Sequence, residues 1–355
     1  MSRILFLAIT VIFLLSCKNE PKTDYAQRPS KLVPVIEGDW WMIGPEPDLT
    51  ELGLQPELSN VQPNQPNDHH VFQDTEGQWH LWACVRGTAI GRILAHWEAD
   101  SLTQSPWHFT GDIIRADKSA GESLVEWHGQ EFIQSPYIIE HQDSFFMFYG
   151  GYSTGMNPSG DTTTNYSHTE NQISLMTSSN GRVWTRYTDA RGYSRLFAGP
   201  GAARDPVVKK FGNLWYIYYC GHHNWDRTCG AIYVRTSEDL NQWSDWKIAH
   251  YDKTHENQKW LPESPQVVYR DGYYYLFRTH GLEGGTYVFR SREPVNFGHG
   301  DVSELFVTRF DIIAPEIITD KKGNEYITNI SSDGIYGIRM TRLNWVREEY
   351  TTTKQ

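Results

Sequence analysis

The fold of this chain is decided by the run Arg204-Asp-Pro-Val-Val208, the turn residues Gly212-Asn213 and the run Leu214-Trp-Tyr-Ile-Tyr-Tyr219. Two β-rich runs separated by a short turn that contains Gly or Asp predict a β-hairpin. The same pattern occurs five times, and the other copies begin at Asn67-Asp68, Gln134-Ser135, Glu263-Ser264 and Ala314-Pro315. Such self-similarity indicates a repeat architecture.

A second feature follows three of the hairpins. A few polar residues lead to a tryptophan at Trp107, Trp184 and Trp243, which predicts a third strand, a turn and an outer fourth strand in these copies. The copies recur at intervals of about 50 to 70 residues, a spacing typical of propeller blades with variable loops. We therefore predict an all-β chain that forms a five-bladed β-propeller, with four-stranded blades around a central channel.

The final blade needs a strand from elsewhere in the chain. The last copy runs out of sequence for a fourth strand after Tyr336-Gly-Ile-Arg-Met340. The segment Gly38-Asp-Trp-Trp-Met-Ile-Gly44 is rich in β-forming residues and has no hairpin partner of its own. Because a propeller must close its ring, we predict that this segment completes the final blade. The alternative is an N-terminal arm that lies loosely over the surface.

The chain begins with an apolar run, Ile4 to Leu15, that is too short to span a bilayer as a stable helix but suits a secretory signal. The residues Leu14-Leu-Ser-Cys17 resemble a bacterial lipobox. The resemblance implies cleavage before Cys17, acylation of that cysteine, and an extracytoplasmic protein that contacts a bacterial membrane only through its lipid anchor. A cleaved signal followed by a free cysteine is the alternative. The predicted segments are a signal peptide at 1–16, a tether at 17–37 and the propeller domain at 38–355.

Composition narrows the class of protein. Aromatic residues make up 14% of the chain, with no low-complexity break after the leader, as one continuous packed β structure requires. The formal net charge is −11 at pH 7. Nucleic acid is therefore excluded as an expected partner, because phosphate binding needs a basic face.

The cysteines leave two interpretations open. Cys220 and Cys229 are close enough in sequence to pair across a loop, although three cysteines besides Cys17 leave one thiol over. In the other interpretation Cys220 joins His222 and His223 in a metal site. No second Cys/His cluster has zinc-site spacing, so we predict no metal ligands.

Three of the five copies carry an acid where the first strand of the hairpin begins: Asp68, Asp205 and Glu263. In a repeat of this kind the first strand lines the channel and its beginning points to one mouth. The second copy has Gln134-Ser135 there, and strand alternation turns Glu316 of the fifth copy to a different face. Converging carboxylates repel one another, so that one holds a proton while another stays ionised. Cleavage of a glycosidic bond requires this pairing of acid and base or nucleophile.

The ordered trio resembles glycoside hydrolase family 43 and its five-bladed relatives, including the fructan-cleaving families 32 and 68. The resemblance rests on an aspartate in the first copy, Arg-Asp-Pro in the third and Pro-Glu-Ser-Pro in the fourth, and it covers Gly38 to Trp345. It implies that Asp68 is the general base, Asp205 orients the acid and raises its pKa, and Glu263 is the general acid. This chain departs from many relatives in one respect, since histidine rather than proline follows Asp68.

Further residues near the trio are candidates for substrate binding, because aromatic rings stack on sugar faces and polar side chains hold hydroxyl or carboxylate groups. For the tryptophans, packing between blades is the alternative. His69 and His70 alternate in direction, so at most one of them should face the site. The predicted substrate-binding residues are His69, Trp82, Arg86, Trp127, Gln134, His222 and Arg278.

The predicted activity is removal of a pentose, L-arabinofuranose or D-xylose, from oligo- or polysaccharide fragments, with inversion as in family 43. No cofactor is required, and the resemblance also allows a structural calcium ion in the channel. Two alternatives stay open. One is a retaining fructan-type glycosidase with Asp68 as nucleophile, since Asn67-Asp68 resembles the Asn-Asp pair of those enzymes. The other is a surface lectin that binds glycans without cleaving them.

Overall fold

The computed structural model describes residues 31–55, 65–122, 131–152, 171–222, 230–258, 260–330 and 336–348. The chain divides into a compact unit, Leu32–Val346, and a second unit made of the chain ends, of which Lys31 and Arg347–Glu348 are described. Within the described ranges no helix is long and apolar enough to cross a membrane. The three predicted catalytic acids lie in the Leu32–Val346 unit.

The described chain is all-β, as predicted. Its helical residues form one short helix, α1 (Gly281–Gly284), and single 3-10 turns at Lys118–Ala120, Lys253–His255 and Ser303–Leu305. The strands are β1 (Lys31–Pro45), β2 (Gln65–Gln73), β3 (Trp79–Thr88), β4 (Gly91–Ala99), β5 (His108–Ile114), β6 (Glu131–His141), β7 (Ser144–Tyr152), β8 (Asn171–Ser178), β9 (Thr185–Arg186), β10 (Arg195–Ala198), β11 (Arg204–Phe211), β12 (Leu214–His222), β13 (Gly230–Ser237), β14 (Lys247–Asp252), β15 (Glu263–Arg270), β16 (Tyr273–Thr279), β17 (Thr286–Ser291), β18 (His299–Gly300), β19 (Phe306–Phe310), β20 (Ile317–Thr319), β21 (Glu325–Ile330) and β22 (Gly337–Glu348).

All five predicted hairpins are present as antiparallel pairs: β2 with β3, β6 with β7, β11 with β12, β15 with β16, and β20 with β21. Their turns follow from local sequence. Gln142 and Asp143, between β6 and β7, both have positive φ (51° and 58°), and so do Asp271 and Gly272 between β15 and β16 (49° and 81°). Two-residue turns with positive φ match the right-handed twist of the strands that they connect.

The strands form four sheets. The first two copies share a nine-stranded sheet, in which β4 and β6 pair in parallel at Gly91 and Glu131. The third copy lies in the sheet β11-β12-β13-β14-β18, the fourth in β15-β16-β17-β19, and the fifth in β1-β22-β21-β20. The outer strands predicted from the tryptophan motif are present in all three copies, since β5 pairs with β4, β9 with β8 and β14 with β13.

The N-terminal strand joins the sheet of the last copy, because β1 lies beside β22. The predicted segment therefore adds a strand to the sheet of the last copy. The strand begins at Lys31, however, inside the segment that we predicted as a tether at 17–37. Val33 explains the difference, since it is buried in a hydrophobic cluster with Tyr275 and Leu343, and Ile36 packs against the same cluster. The proline at position 34 is compatible with this strand, because an edge strand tolerates proline.

The hydrophobic core is divided among interfaces between copies. Five buried clusters each combine residues of two copies, and the copies follow one another in cyclic order. Representative members are Trp82 and Met147 for copies one and two, Phe148 and Val207 for two and three, Ile232 and Leu276 for three and four, Phe277 and Leu343 for four and five, and Ile338 and Leu81 for five and one. The last copy therefore packs against the first.

Replacing Ile43 of β1 by alanine tests whether the N-terminal strand is part of this core. Ile43 is fully buried in the cluster between the last and first copies, so Ile43→Ala should lower the free energy of unfolding by about 2–5 kcal/mol. Urea denaturation measures the change. Val183→Ala, at a side chain that is 72% exposed, is the control and should stay within about 0.5 kcal/mol of the wild type. A loss below about 1 kcal/mol for Ile43→Ala would show that β1 is dispensable.

Candidate active site

The candidate site is built on a β-bulge in the first strand of each hairpin. In the third copy, Arg204 pairs with Cys220 and Val207 pairs with Tyr218, so three steps along β11 face two steps along β12. The same excess of one residue occurs in the first, second and fourth copies. In the fifth copy the backbone bonds Ile330 N to Ile313 O and Thr328 N to Glu316 O show it again.

The backbone of the bulge is strained in four copies. Ser135, Asp205, Ser264 and Ala314 each precede a proline and adopt positive φ, at 54°, 54°, 47° and 47°. A residue other than glycine in this region costs on the order of 1–3 kcal/mol and persists only where the surrounding structure enforces it. The bulge bends the strand and re-aims its side chains.

The three predicted acids occupy successive positions of this bulge. Aligned by strand pairing, Glu263 is the residue before the bulge, Asp205 is its first residue and Asp68 is its second. We had expected equivalent positions, so this offset is a correction. The bulge changes the direction in which successive side chains of the strand point. Side chains at neighbouring bulge positions in different copies can therefore lie close together.

Ser135, from the second copy, links the two aspartates. Its Oγ lies 2.7 Å from Asp205 Oδ1 and 3.2 Å from Asp68 Oδ2. Asp205 Oδ2 accepts two further bonds, one from the backbone N–H of Ser264 at 3.0 Å and one from the Cys220 thiol at 3.1 Å. Side chains or backbone of four copies are therefore joined through two carboxylates.

Glu263 is held from the third copy by Arg204. Arg204 Nη2 donates to Glu263 Oε1 at 3.1 Å and to the carbonyl of Trp260 at 2.7 Å. The guanidinium carbon also lies 5.7 Å from the centre of the Trp260 ring. The Glu263 side chain is 27% exposed, so solvent or a ligand can reach the carboxyl group from one side.

The environment favours the protonated form of two of the acids. Burial raises the pKa of Asp68, and the charge of Asp205 adds to this effect while Arg86 opposes it. Burial likewise raises the pKa of Glu263, where Arg204 acts in the opposite direction and the charges of Asp205 and Asp68 raise it again. The repulsion that we predicted between the three carboxylates is therefore present.

A small cavity lies where the bulges of the copies converge. Its volume is about 20 Å³, enough for roughly one water molecule. Residues of all five copies line it, among them Asp68, Ser135, Asp205, Ser264 and Ala314. The beginnings of the five first strands therefore meet at one place, as the repeat predicted.

Two of the predicted substrate-binding residues lie beside the acids. Arg86 Nη2 is 3.4 Å from Asp68 Oδ2. Gln134 precedes Ser135, and its Oε1 accepts a bond from Arg92 at 2.6 Å. His69 lines the central cavity whereas His70 does not, which agrees with the predicted alternation. His69 is nevertheless fully engaged, with Nε2 2.7 Å from Thr328 Oγ1 and Nδ1 3.1 Å from the Asn67 carbonyl.

Two further predicted contacts, Trp82 and His222, are buried. Trp82 is 1% exposed and packs in the cluster between the first two copies, so the alternative of packing holds for it. His222 is also 1% exposed, and its ring contacts the edge of Trp260 at 5.9 Å between centroids. Trp127 lies outside the described residues, as do Cys17, His223 and Cys229.

Arg278 requires a correction as well. Its side chain is 1% exposed, its Nη2 donates to Asp252 Oδ2 at 2.7 Å, and its guanidinium lies over Tyr287 and Phe289. It is therefore buried between β14, β16 and β17 and does not contact the acids. The desolvation is strong enough to lower the pKa of Arg278 to about 10.

The open interpretations of Cys220 can now be decided in part. Cys220 is a free, buried thiol, and its Sγ faces Asp205. It therefore forms no disulfide. Burial raises its pKa well above the ordinary value, which favours the neutral thiol that donates to Asp205.

The channel offers little to a calcium ion. Glu316, which lines the same cavity, is occupied through Oε2 by His70 at 2.8 Å and through Oε1 by Gln266 at 2.7 Å. Asp68 and Asp205 accept the bonds described above, whereas calcium takes six to eight oxygen ligands. The described channel residues therefore do not form a calcium cage. A separate group, His80, His96 and Glu98, has donor atoms within 4.8 Å of one another, but it lies on β3 and β4 away from the acids.

Comparison with solved structures places the fold. No family model matches the chain. The structure is similar to a thermostable family-43 glycoside hydrolase, with 18% identity and a TM-score of 0.54 over 82% of this chain and 95% of that one. It is also similar to a family-32 β-fructofuranosidase from Bombyx mori, with 15% identity and a TM-score of 0.54 over 82% of this chain and 64% of that one. A third similar structure is an α-L-arabinofuranosidase from Lactobacillus brevis, with 11% identity and a TM-score of 0.54 over 79% of this chain and 92% of that one. The chain thus has the β-propeller fold of these glycoside hydrolases, which confirms the predicted resemblance at the level of fold.

Sequence reasoning missed several groups at the site: Ser135, Cys220, Arg92 and Trp260. The repeat pattern could have identified Ser135 as a site residue, because Gln134-Ser-Pro136 aligns with Arg204-Asp-Pro206. The other three come from second strands, third strands and a connecting loop. Nothing in the repeat pattern indicates which of their side chains reach the acids.

The raised pKa of Asp68 predicts a pH-dependent cost to stability. A folded-state pKa above the unfolded value of about 3.9 means that the cost is absent below that pH and grows as the pH rises through the folded value. At pH 7 the free energy of unfolding of Asp68→Asn should therefore exceed that of wild type by about 1.4 kcal/mol for each unit of pKa shift. The variant should accordingly unfold at a higher temperature. The difference should vanish near pH 3.5.

Calorimetry or circular dichroism at both pH values measures this effect. Asp311→Asn is the control, since that side chain is 86% exposed and its ion pair contributes little. An Asp68→Asn protein that is less stable than wild type at pH 7 would contradict the predicted cost.

Proposed function

We propose that this protein is a glycoside hydrolase that acts on polysaccharide-derived glycans, with Asp68, Asp205 and Glu263 as its catalytic carboxylates. One observation carries the proposal. Three acids from three copies converge within a network closed by Ser135 and Arg204, and burial raises the pKa of two of them. A binding site has no need of mutually repelling carboxylates, whereas glycosidic cleavage requires them.

The roles follow from the surroundings of each acid. Glu263 is the general acid, since burial and the charges of Asp205 and Asp68 favour its protonated form. It donates that proton to the leaving oxygen. Asp68 is the general base and must be ionised, which the neighbouring Arg86 supports. Asp205 acts through the other two, because the bonds from Ser135, Cys220 and Ser264 fix its position while its charge raises their pKa values.

We further propose that the fold has five blades of four strands. Five hydrophobic clusters link the five copies in cyclic order, the last to the first. The third and fourth copies each supply four antiparallel strands, and β1 is the fourth strand in the sheet of the last copy. In this arrangement the first strands surround the channel, and their bulges form its mouth.

Release of a pentose with inversion is the activity that we propose in detail. Its support is the likeness to structures described as an α-L-arabinofuranosidase and as a xylan β-1,4-xylosidase. In an inverting reaction Asp68 activates a water molecule on the face of the sugar opposite Glu263. No cofactor is needed for this step, and any calcium ion would have a structural role.

We also keep the proposal that the protein is exported and attached to a bacterial membrane through Cys17. Its support is the sequence alone, namely the apolar leader and the Leu-Leu-Ser-Cys ending. Incorporation of labelled palmitate into wild type but not into Cys17→Ser would support the anchor. Equal labelling of both, or of neither, would contradict it.

Glu263→Gln should abolish turnover without loss of folding. The amide keeps the shape of the side chain and removes the proton donor, so kcat/KM should fall by about 10²–10⁴ on glycosides with poor leaving groups. Aryl glycosides with acidic leaving groups should lose less, because they need less protonation. Glu293→Gln, at an exposed residue of the same copy, is the matched control. Full activity of Glu263→Gln on poor leaving groups would remove Glu263 from the mechanism.

Product analysis tests the function itself. The protein is incubated with aryl pentosides, arabinan, xylan and fructan, and NMR follows the anomeric configuration of the first product. Release of a pentose with inversion supports Asp68 as a base acting through water. A retained product would make Asp68 a nucleophile, and hydrolysis of none of these substrates, with glycan binding preserved, would identify a lectin.

A further inference from the structure

Arg86 has unused hydrogen-bonding capacity beside the catalytic acids. Its contact with Asp68, at 3.4 Å between Nη2 and Oδ2, is longer than the roughly 2.7–2.9 Å of a charge-assisted hydrogen bond. Its Nε–H group is buried and has no hydrogen-bond partner among the described residues. About a third of the side chain remains exposed, at 36%, so a ligand can reach the guanidinium group.

The other two guanidinium groups near the acids are more fully used. Arg204 is 8% exposed and donates to Glu263 and to the carbonyls of Trp260 and Ala202. Arg92 donates to Gln134 Oε1 and lies 4.3 Å from the centre of the Phe132 ring. Arg86 is therefore the arginine of this group, within the described residues, that offers a free edge to a ligand.

Three guanidinium groups surround the acids. Arg86, Arg92 and Arg204 all act electrostatically on Asp68. Positive groups that line a cleft attract an anionic group of a substrate.

We propose that Arg86 binds an acidic group of the substrate, so that the glycan carries a carboxylate or a sulfate ester on the sugar at the cleaved bond or on the next one. The planar guanidinium group matches both anions with two parallel hydrogen bonds from its two Nη atoms. This inference deepens the proposed function and rests on it for the position of the substrate.

The experiment compares neutral D-xylose with two anionic sugars. D-Glucuronate is D-xylose with an added carboxylate, and D-glucose 6-sulfate supplies the sulfate. Calorimetry or ligand-observed NMR with the purified protein at low salt should show at least tenfold tighter binding of one of these anions than of D-xylose. The preferred anion identifies the source of the acidic group. Equal binding of all three sugars, or binding of none, would overturn the proposal.

Arg86→Lys tests whether the guanidinium fork is responsible. Lysine keeps the positive charge near Asp68 but loses the paired donors, so the preference for the anion over D-xylose should fall about tenfold. Arg115→Lys, at a side chain that is 54% exposed and paired with Glu131, is the matched control and should keep the preference. An unchanged preference in Arg86→Lys would overturn the assignment to Arg86.

The outcomes separate this inference from the proposed function. Hydrolysis of neutral pentosides with no preference for anionic sugars leaves a glycosidase and overturns the acidic substrate. A strong preference for the anion that depends on Arg86, without hydrolysis of any substrate, supports the anion site and removes the catalytic assignment.

Discussion

One extra residue in the first strand of each hairpin is the constraint on which the site depends. A regular strand alternates its side chains between two faces, so acids one position apart would point in opposite directions. The bulge breaks this alternation, and the positive φ of Asp205 and its counterparts turns the chain toward the channel. The strain is maintained because a proline follows each of these residues and the sheets on both sides fix the strand ends.

The hydrogen bonds and ion pairs around the three acids hold their carboxylates in place, although the carboxylates still repel one another. Ser135, Cys220 and the Ser264 N–H group supply neutral donors to Asp205, and Arg86 and Arg204 supply charge to the other two acids. Neutral donors hold a carboxylate in place without cancelling its field, so Asp205 still acts on its neighbours. Arginines placed beside the outer two acids limit the increase in their pKa. The buried, mutually repelling carboxylates therefore make the site less stable than a site of neutral groups would be. The proposed mechanism uses the same repulsion to keep one acid protonated while another is ionised.

The sequence was sufficient for the hairpins and for the N-terminal strand that joins the sheet of the last copy, because these depend on local patterns along the chain. It also predicted that Asp68, Asp205 and Glu263 lie close together, whereas their catalytic roles stay a prediction. It was insufficient for the offset between Asp68, Asp205 and Glu263, since a bulge changes the strand register without changing the composition of the strand. It also failed for Arg278. Strand alternation gives the face of a sheet on which a side chain lies, but whether that face is covered by the next sheet depends on tertiary packing. The donors from other strands, such as Cys220 and Arg92, are beyond local patterns for the same reason.

The pairing of the first and last strands also governs how the chain acquires its structure. The hydroxyl of Thr341 donates to the carbonyl of Glu37, 304 residues earlier in the sequence, and this is a contact of very high sequence separation. Contacts of this kind form slowly, because the loop between their partners must first be closed. During synthesis the N-terminal strand emerges first and has to wait, with its edge and its apolar side chains unpaired, until almost the whole chain has been made. The copies can therefore be stabilised as one cooperative unit only after β1 has paired with β22. Until then the unpaired β1 is exposed to pairing with the wrong strand.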